Sequence, residues 1–254
     1  MGKVMKWLVS FIILVSILSA ETLDAKYKIE YGIFGKMGES EARLEKKDGR
    51  YKIKMRAYAT GLAKFLSGGR VEVYESEGTI LSDGTLKPNI FRKDISRKGK
   101  KRIKVYIFDW KNKKVEFEEK RFRDGKFESE SSGTLPYFAE NDILSLYFNM
   151  KTILKSCQKP FDKMLKAVGA QKNSGNVRIS TVIGDNIKSV KELLGDASCY
   201  LKVTIYQKLF GSRGGELYLG IQPDFIVKKA VLKDVIMFGD IRGNLTKFSK
   251  NNRK

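Results

Sequence analysis

The feature that most constrains this chain is a period-two alternation of apolar and charged side chains that begins at residue 26 and recurs along most of its length. In the first segment Tyr27, Ile29, Tyr31 and Ile33 fall on one side, with Lys26, Lys28 and Glu30 on the other. Successive side chains of a strand point to opposite faces, so a segment of this pattern buries one face and wets the other only as a β-strand. Ala42 and Leu44 next alternate with Glu41, Arg43 and Glu45 and lead into Asp48-Gly49, a dipeptide suited to the two left-handed positions of a tight hairpin. Beyond it Tyr51, Ile53, Met55 and Ala57 alternate with Lys52, Lys54 and Arg56, which predicts a second strand paired with the first.

The same style continues. Residues 60–66 carry helix formers and predict a short helical turn, after which Val71, Val73 and Glu75 resume the alternation. Asp83-Gly84 and Lys87-Pro88 punctuate the next connection, and two charged hairpins follow, turning at residues 97–101 and 110–113, with Val115 and Phe117 beyond the second turn. Residues 141–157 break the pattern: Ile143, Leu144, Leu146, Tyr147, Ile153 and Leu154 recur at helical spacing, with Glu140 or Asn141 placed to cap them. One amphipathic helix packed on a sheet is expected there, and residues 136–141 mark a candidate lobe boundary. Strands are expected again at 177–183, 200–207, 215–221 and 226–235, and the basic segment 247–254 is expected to be a disordered tail. The expected fold is mainly β: about a dozen antiparallel strands in strongly curved sheet(s), half-barrel or β-sandwich-like, with one main packing helix. It would span residues 21–246, as one domain or as two lobes, 21–136 and 137–246.

Ahead of the first strand, two lysines within residues 1–6, an apolar run over 7–18 and the small pair Ser19-Ala20 form a secretory leader. The run is shorter than the roughly 20 residues of a membrane span, so a signal peptide of residues 1–20, cleaved near Ala20, is expected, and with it a periplasmic location. The chain has 50 basic and 29 acidic residues, a net charge of +21, spread along the strands. Such a field attracts anionic surfaces without specificity, or simply keeps the outer face of a sheet soluble. No specific nucleic-acid partner, cofactor or metal is expected.

Histidine is absent, which excludes the commonest general base, the commonest zinc ligand and every Ser-His-Asp arrangement. Asp83, Asp94 and Asp109 are carboxylates from which a hydrolase could be assembled, but each falls at a turn or strand end where aspartate serves the backbone. Gly68-Gly69 and the glycines of 211–215 lack the spacing of a phosphate loop and read as turns. Cys157 and Cys199 form either a disulfide or a pair of buried free thiols. Of the 15 Phe, 11 Tyr and 2 Trp, Tyr27, Tyr31, Tyr51 and Phe117 lie in the apolar register of their strands. A curved sheet would gather these four on its concave side, as core or as the lining of a greasy cavity.

Several stretches resemble the domain of unknown function 3108 family: residues 31–38 (Tyr-Gly-Ile-Phe-Gly-Lys-Met-Gly), Ala59-Thr60-Gly61 leading to Leu66, Tyr74-Glu75-Ser76, Asp83-Gly84 with Lys87-Pro88, Phe108-Asp109, and a closing strand over 226–233 before 239–245. The resemblance implies an exported, antiparallel β protein of unassigned activity, with a strongly curved sheet similar in outline to periplasmic lipoprotein carriers. It supplies no catalytic residues. The leading functional expectation is a non-catalytic envelope protein that holds a lipid, a lipoprotein or another partner on its concave face. The alternatives are an assembly factor whose basic outer face holds anionic envelope surfaces, and a carboxylate-based hydrolase.

Overall fold

The computed structural model describes residues 20–206, 215–235 and 239–253. The leader expected over 1–20 lies outside them except for Ala20, as do residues 211–214 of the second glycine-rich stretch. The N-terminal half is a meander of β1 (Ala20–Tyr31), β2 (Lys36–Lys47), β3 (Arg50–Ala59), β4 (Val71–Ile80), β5 (Leu86–Arg97), β6 (Lys100–Asp109), β7 (Lys114–Arg123) and β8 (Lys126–Thr134), with α1 (Gly61–Ser67) between β3 and β4. A two-residue strand, β9 (Asn141–Asp142), then leads into α2 (Ile143–Leu154). The C-terminal half comprises β10 (Asp162–Val168), β11 (Asn176–Thr181), α3 (Ile187–Leu194), β12 (Cys199–Ile205), β13 (Glu216–Ile221), β14 (Val227–Val235) and β15 (Gly239–Arg253). The fold is thus mainly β, with one main packing helix, as the alternation predicts.

All fifteen strands join one sheet in the order β8-β7-β6-β5-β4-β3-β2-β1-β15-β14-β13-β12-β11-β10-β9, antiparallel except for the β9–β10 pair. Because β1 is flanked by β2 and β15, segments 21–136 and 137–246 share a continuous backbone ladder. Three hairpins of the meander turn on two residues with positive φ, Asp48-Gly49, Lys98-Gly99 and Asp124-Gly125, the geometry whose twist matches that of the flanking strands. The sheet is open, yet it curls over α2. Phe91 on β5 meets Gly169 just beyond β10 so closely that a Cβ on the glycine would lie 2.9 Å from the ring.

The cap of α2 is Asp142, just beyond the expected Glu140 or Asn141, and two further expectations require correction. The segment 247–254 is no disordered tail: residues up to Arg253 form the end of β15, pairing with Ala20–Lys26, and Lys250 meets Glu21 at 3.0 Å. Its lack of acids is balanced by an acid on the neighbouring strand, a complementarity that composition does not show. Ile33 does not continue the first strand, which ends at Tyr31 and gives way to a 3-10 turn at Gly32–Phe34.

α2 occupies the concave side and joins two apolar clusters. Leu144 packs with Leu44, Ile53, Phe91 and Val115, whereas Leu146, Met150 and Leu154 pack with Val177, Ile179 and Leu201. Four attachments fix it. The Asp142 carboxylate accepts from the backbone N–H groups of Leu144 and Ser145 at 2.8 and 3.0 Å and from the Ser76 hydroxyl at 2.6 Å. The Asn149 side chain accepts from Leu86 N–H at 2.8 Å and donates to Leu86 C=O at 2.9 Å. The Tyr147 hydroxyl accepts from Val227 N–H at 3.1 Å. Cys157, just past the helix, is disulfide-bonded to Cys199 at the start of β12, with Cα atoms 5.6 Å apart. The third helix, α3, covers the opposite face, where Val190 and Leu194 pack on Tyr200 and Val231.

Candidate functional site: an apolar trough with a cationic mouth

The sheet is wider than α2, so the helix leaves a cavity on each flank. The first, about 570 Å³, lies between β4–β5 and β11–β13, walled by Ile143, Leu146 and Met150 of α2 and by Ile179, Val203 and Leu219 of the sheet. The second, about 370 Å³, lies over β1–β3 and β13–β15, walled by Leu23, Ala25, Tyr27, Ile29, Met55 and Phe248. Ile143, Tyr147, Leu217 and Leu219 line both, so the two adjoin beneath the helix. Together they form a trough lined almost entirely by aliphatic and aromatic side chains.

The first cavity opens beside polar groups. Arg70, Glu72, Tyr74 and Lys93 line its outer end, with Arg70 Nε 2.5 Å from Glu72 and the Tyr74 hydroxyl also donating to Glu72. Register explains the arrangement. Across β4, β5, β6 and β7 one concave row reads Ser76, Phe91, Tyr106, Phe117, the next reads Tyr74, Lys93, Lys104, Glu119, and the third reads Glu72, Ile95, Arg102, Arg121. The concave face is therefore oily at depth and cationic toward the β5–β6 and β7–β8 hairpins. A third hollow, about 550 Å³, lies on that side and is lined by Arg70, Arg97, Lys98, Lys100, Arg102, Arg121 and Arg123, with Glu128 the acid among its lining residues. Burial pushes the Lys93 ammonium below the usual lysine range against the pull of Glu72, and Lys104 is lowered for the same first reason.

Of the four aromatic residues expected to line a ligand site, Tyr27 lines the trough, its hydroxyl donating to Val227 C=O at 3.1 Å. Tyr51 is core: it is 3% exposed, and its hydroxyl lies 3.0 Å from Ser76 in the buried chain that ends on Asp142. Phe117 stacks obliquely on Tyr106 with the Lys104 ammonium 3.7 Å from its ring centre, beside a separate hollow of about 300 Å³. Tyr31 ends β1 beside the ring of Phe34 and lines none of these cavities. Most of the first cavity's wall comes instead from α2 and β11–β13, and most of the second's from β1–β3, β14 and β15, whose apolar registers are readable in the sequence. Alternation alone does not mark the mouth, although a lysine between Phe91 and Ile95 in one strand register is itself a signal.

The aspartates do not converge on a catalytic site. Asp83 accepts from Thr85 N–H at 2.9 Å and Asp109 from Asn112 N–H at 3.0 Å, and these backbone bonds hold both carboxyls below their usual range. Asp94 pairs with Lys101 at 3.2 Å. On the convex face, cations are met by acids across the strands, as in Lys52–Glu77 at 2.6 Å and Lys54–Glu75 at 2.9 Å. That pairing suits a solvated outer face.

The family model described as protein of unknown function, DUF3108, matches residues 26–241, and the chain belongs to that family. Among solved structures it is similar to a β-barrel-like protein of the domain of unknown function DUF1849 from Brucella abortus, at 12% identity and a TM-score of 0.49, covering 92% of this chain and 98% of that one. No curated protein matches it.

Proposed function

We propose that this protein is an exported, non-catalytic carrier or receptor that holds an amphipathic ligand with an acidic head, most simply a lipid, in the trough beneath α2. The observation that carries the reading is the polarity gradient of one continuous concave surface, from Ile179, Val203 and Leu219 at depth to Lys93 and Arg70 at the mouth. An acyl chain in the trough would gain about 0.8 kcal/mol per buried methylene. A carboxylate or phosphate at the mouth would relieve the partly desolvated Lys93. A periplasmic location is part of the proposal and rests on the leader sequence. The convex face gives less support to an anionic-surface assembly factor, because cations there such as Lys52 and Lys54 are already paired with acids.

The test is organic extraction and mass spectrometry of the purified protein, together with titration of a fluorescent undecanoic acid. Binding at micromolar probe that is abolished by Val203→Trp or Leu219→Trp, with the fold retained by circular dichroism, is the expected result. A protein that carries no lipid and leaves the probe free would overturn it.

A further inference from the structure

α1 is out of place on a soluble surface. Its seven residues run Gly-Leu-Ala-Lys-Phe-Leu-Ser, and only Ala63 turns inward. Leu62, Phe65 and Leu66, at positions i, i+3 and i+4, form a single stripe that is 56%, 81% and 63% exposed. Other large apolar side chains also reach the surface from the strands, among them Ile90, Ile107, Phe127 and Met164, but none is as exposed as Phe65 or Leu66, and core packing does not explain the α1 stripe.

Its surroundings are cationic. The α1 connection docks on the β5–β6 hairpin, where Lys98 N–H donates to Gly68 C=O at 3.0 Å and the Lys98 side chain crosses so close to Gly68 that a Cβ there would lie 2.0 Å from it. Lys64 on the helix and Arg97, Lys98 and Lys100 on the hairpin are all exposed, and none is in an ion pair among the described residues. Through Gly68-Gly69 the helix leads straight to Arg70, which lines the mouth of the trough.

We infer that this end of the sheet is a peripheral docking surface for an anionic lipid bilayer: Leu62, Phe65 and Leu66 enter the boundary between head groups and acyl chains while the surrounding cations meet lipid phosphates. Charge complementarity selects the occupant. An apolar stripe ringed by unpaired lysines and arginines is the pattern of interfacial helices, whereas a second copy of this chain would bring like charge against like. The seven-residue helix is too short to nucleate by itself, but here the sheet holds it formed and presents the stripe ready-made.

The test is flotation of the full chain, stripped of bound lipid, with vesicles of phosphatidylglycerol and phosphatidylcholine against vesicles of phosphatidylcholine alone. Binding to the anionic vesicles is expected, weakened about tenfold or more by the triple change Leu62→Ser, Phe65→Ser, Leu66→Ser and by Lys98→Glu with Lys100→Glu. It should also fall as salt rises. These side chains are exposed, so thermal melts should stay at the wild-type value. A Phe65→Trp variant should shift its emission to the blue on the same vesicles. Equal binding to neutral vesicles, binding unchanged by the triple variant, or a dimer that the triple variant splits would each overturn the inference. Stripping bound lipid separates this result from the trough proposal, which concerns the cavity and the extracted lipid.

Discussion

Replacing both Cys157 and Cys199 by alanine gives the sharpest test of how α2 is held. The bridge closes a loop of 42 residues, and chain-entropy arithmetic for that length removes about 13 cal/mol/K from the unfolded chain, roughly 4 kcal/mol at 25 °C. Alanine is the appropriate replacement because Cys199 is buried among Leu201 and Ile221, where a hydroxyl would lack a partner. For a chain of this size each kcal/mol moves the melting temperature by about 2 to 4 °C, so the double variant should melt roughly 8 to 16 °C below the oxidised wild type. Calorimetry at pH 7 measures the difference, and wild type melted with excess reductant should fall to the same place. The stabilisation acts on the unfolded chain, so probe binding well below the transition should change little. A shift of less than about 3 °C, or a lost trough in a variant that remains folded, would show that the bridge shapes the native site, against this reasoning.

Four other outcomes follow from the geometry. Asp142→Ala removes the α2 cap and leaves the buried Tyr51–Ser76 hydroxyl chain without its final acceptor, and should cost about 2 to 4 kcal/mol in urea unfolding. Burial raises the Asp142 carboxyl above its unfolded value, so its contribution to stability is full below that value and fades as pH rises through the folded one; the melting temperature of Asp142→Asn should gain on wild type from pH 4 upward. Lys93→Met should weaken a fatty-acid probe roughly tenfold to a hundredfold. Wild-type affinity for that probe should fall as pH climbs through the lowered Lys93 value, and the methionine variant should lose this slope.

The parts of this fold that are legible in the sequence rest on local chemistry. Asp48-Gly49 forces its hairpin whatever surrounds it, and the helical spacing of Ile143, Leu146, Tyr147 and Leu154 has no strand counterpart. α3 and β10 are not legible in this way, because Lys188 and Lys191, or Lys163 and Lys166, interrupt segments that become clear only against the sheet. Period two puts Tyr51 on the concave side, but it cannot distinguish a cavity wall from a core position. That distinction depends on what stands opposite, and opposite Tyr51 stand Ser76 and Asp142, 25 and 91 positions further along the chain.

The same non-local pairing explains why the trough is not filled. A helix free to settle would sink until its side chains met the sheet on both flanks, because dense packing is what a core gains most from. α2 is prevented from doing so by fixed-length polar attachments: Asp142 to Ser76 at its start, Asn149 to both backbone groups of Leu86 on one flank, and Tyr147 to Val227 on the other. Each would have to break, at the cost of a buried unsatisfied group, before the helix could move toward either wall. If the polar attachments keep the cavities open, shortening one should collapse a flank. Asn149→Ala should therefore lower probe affinity more than its position, outside both cavity linings, would suggest. Undiminished affinity in that variant would mean that the apolar packing of Leu144 and Leu146 alone sets the height of the helix.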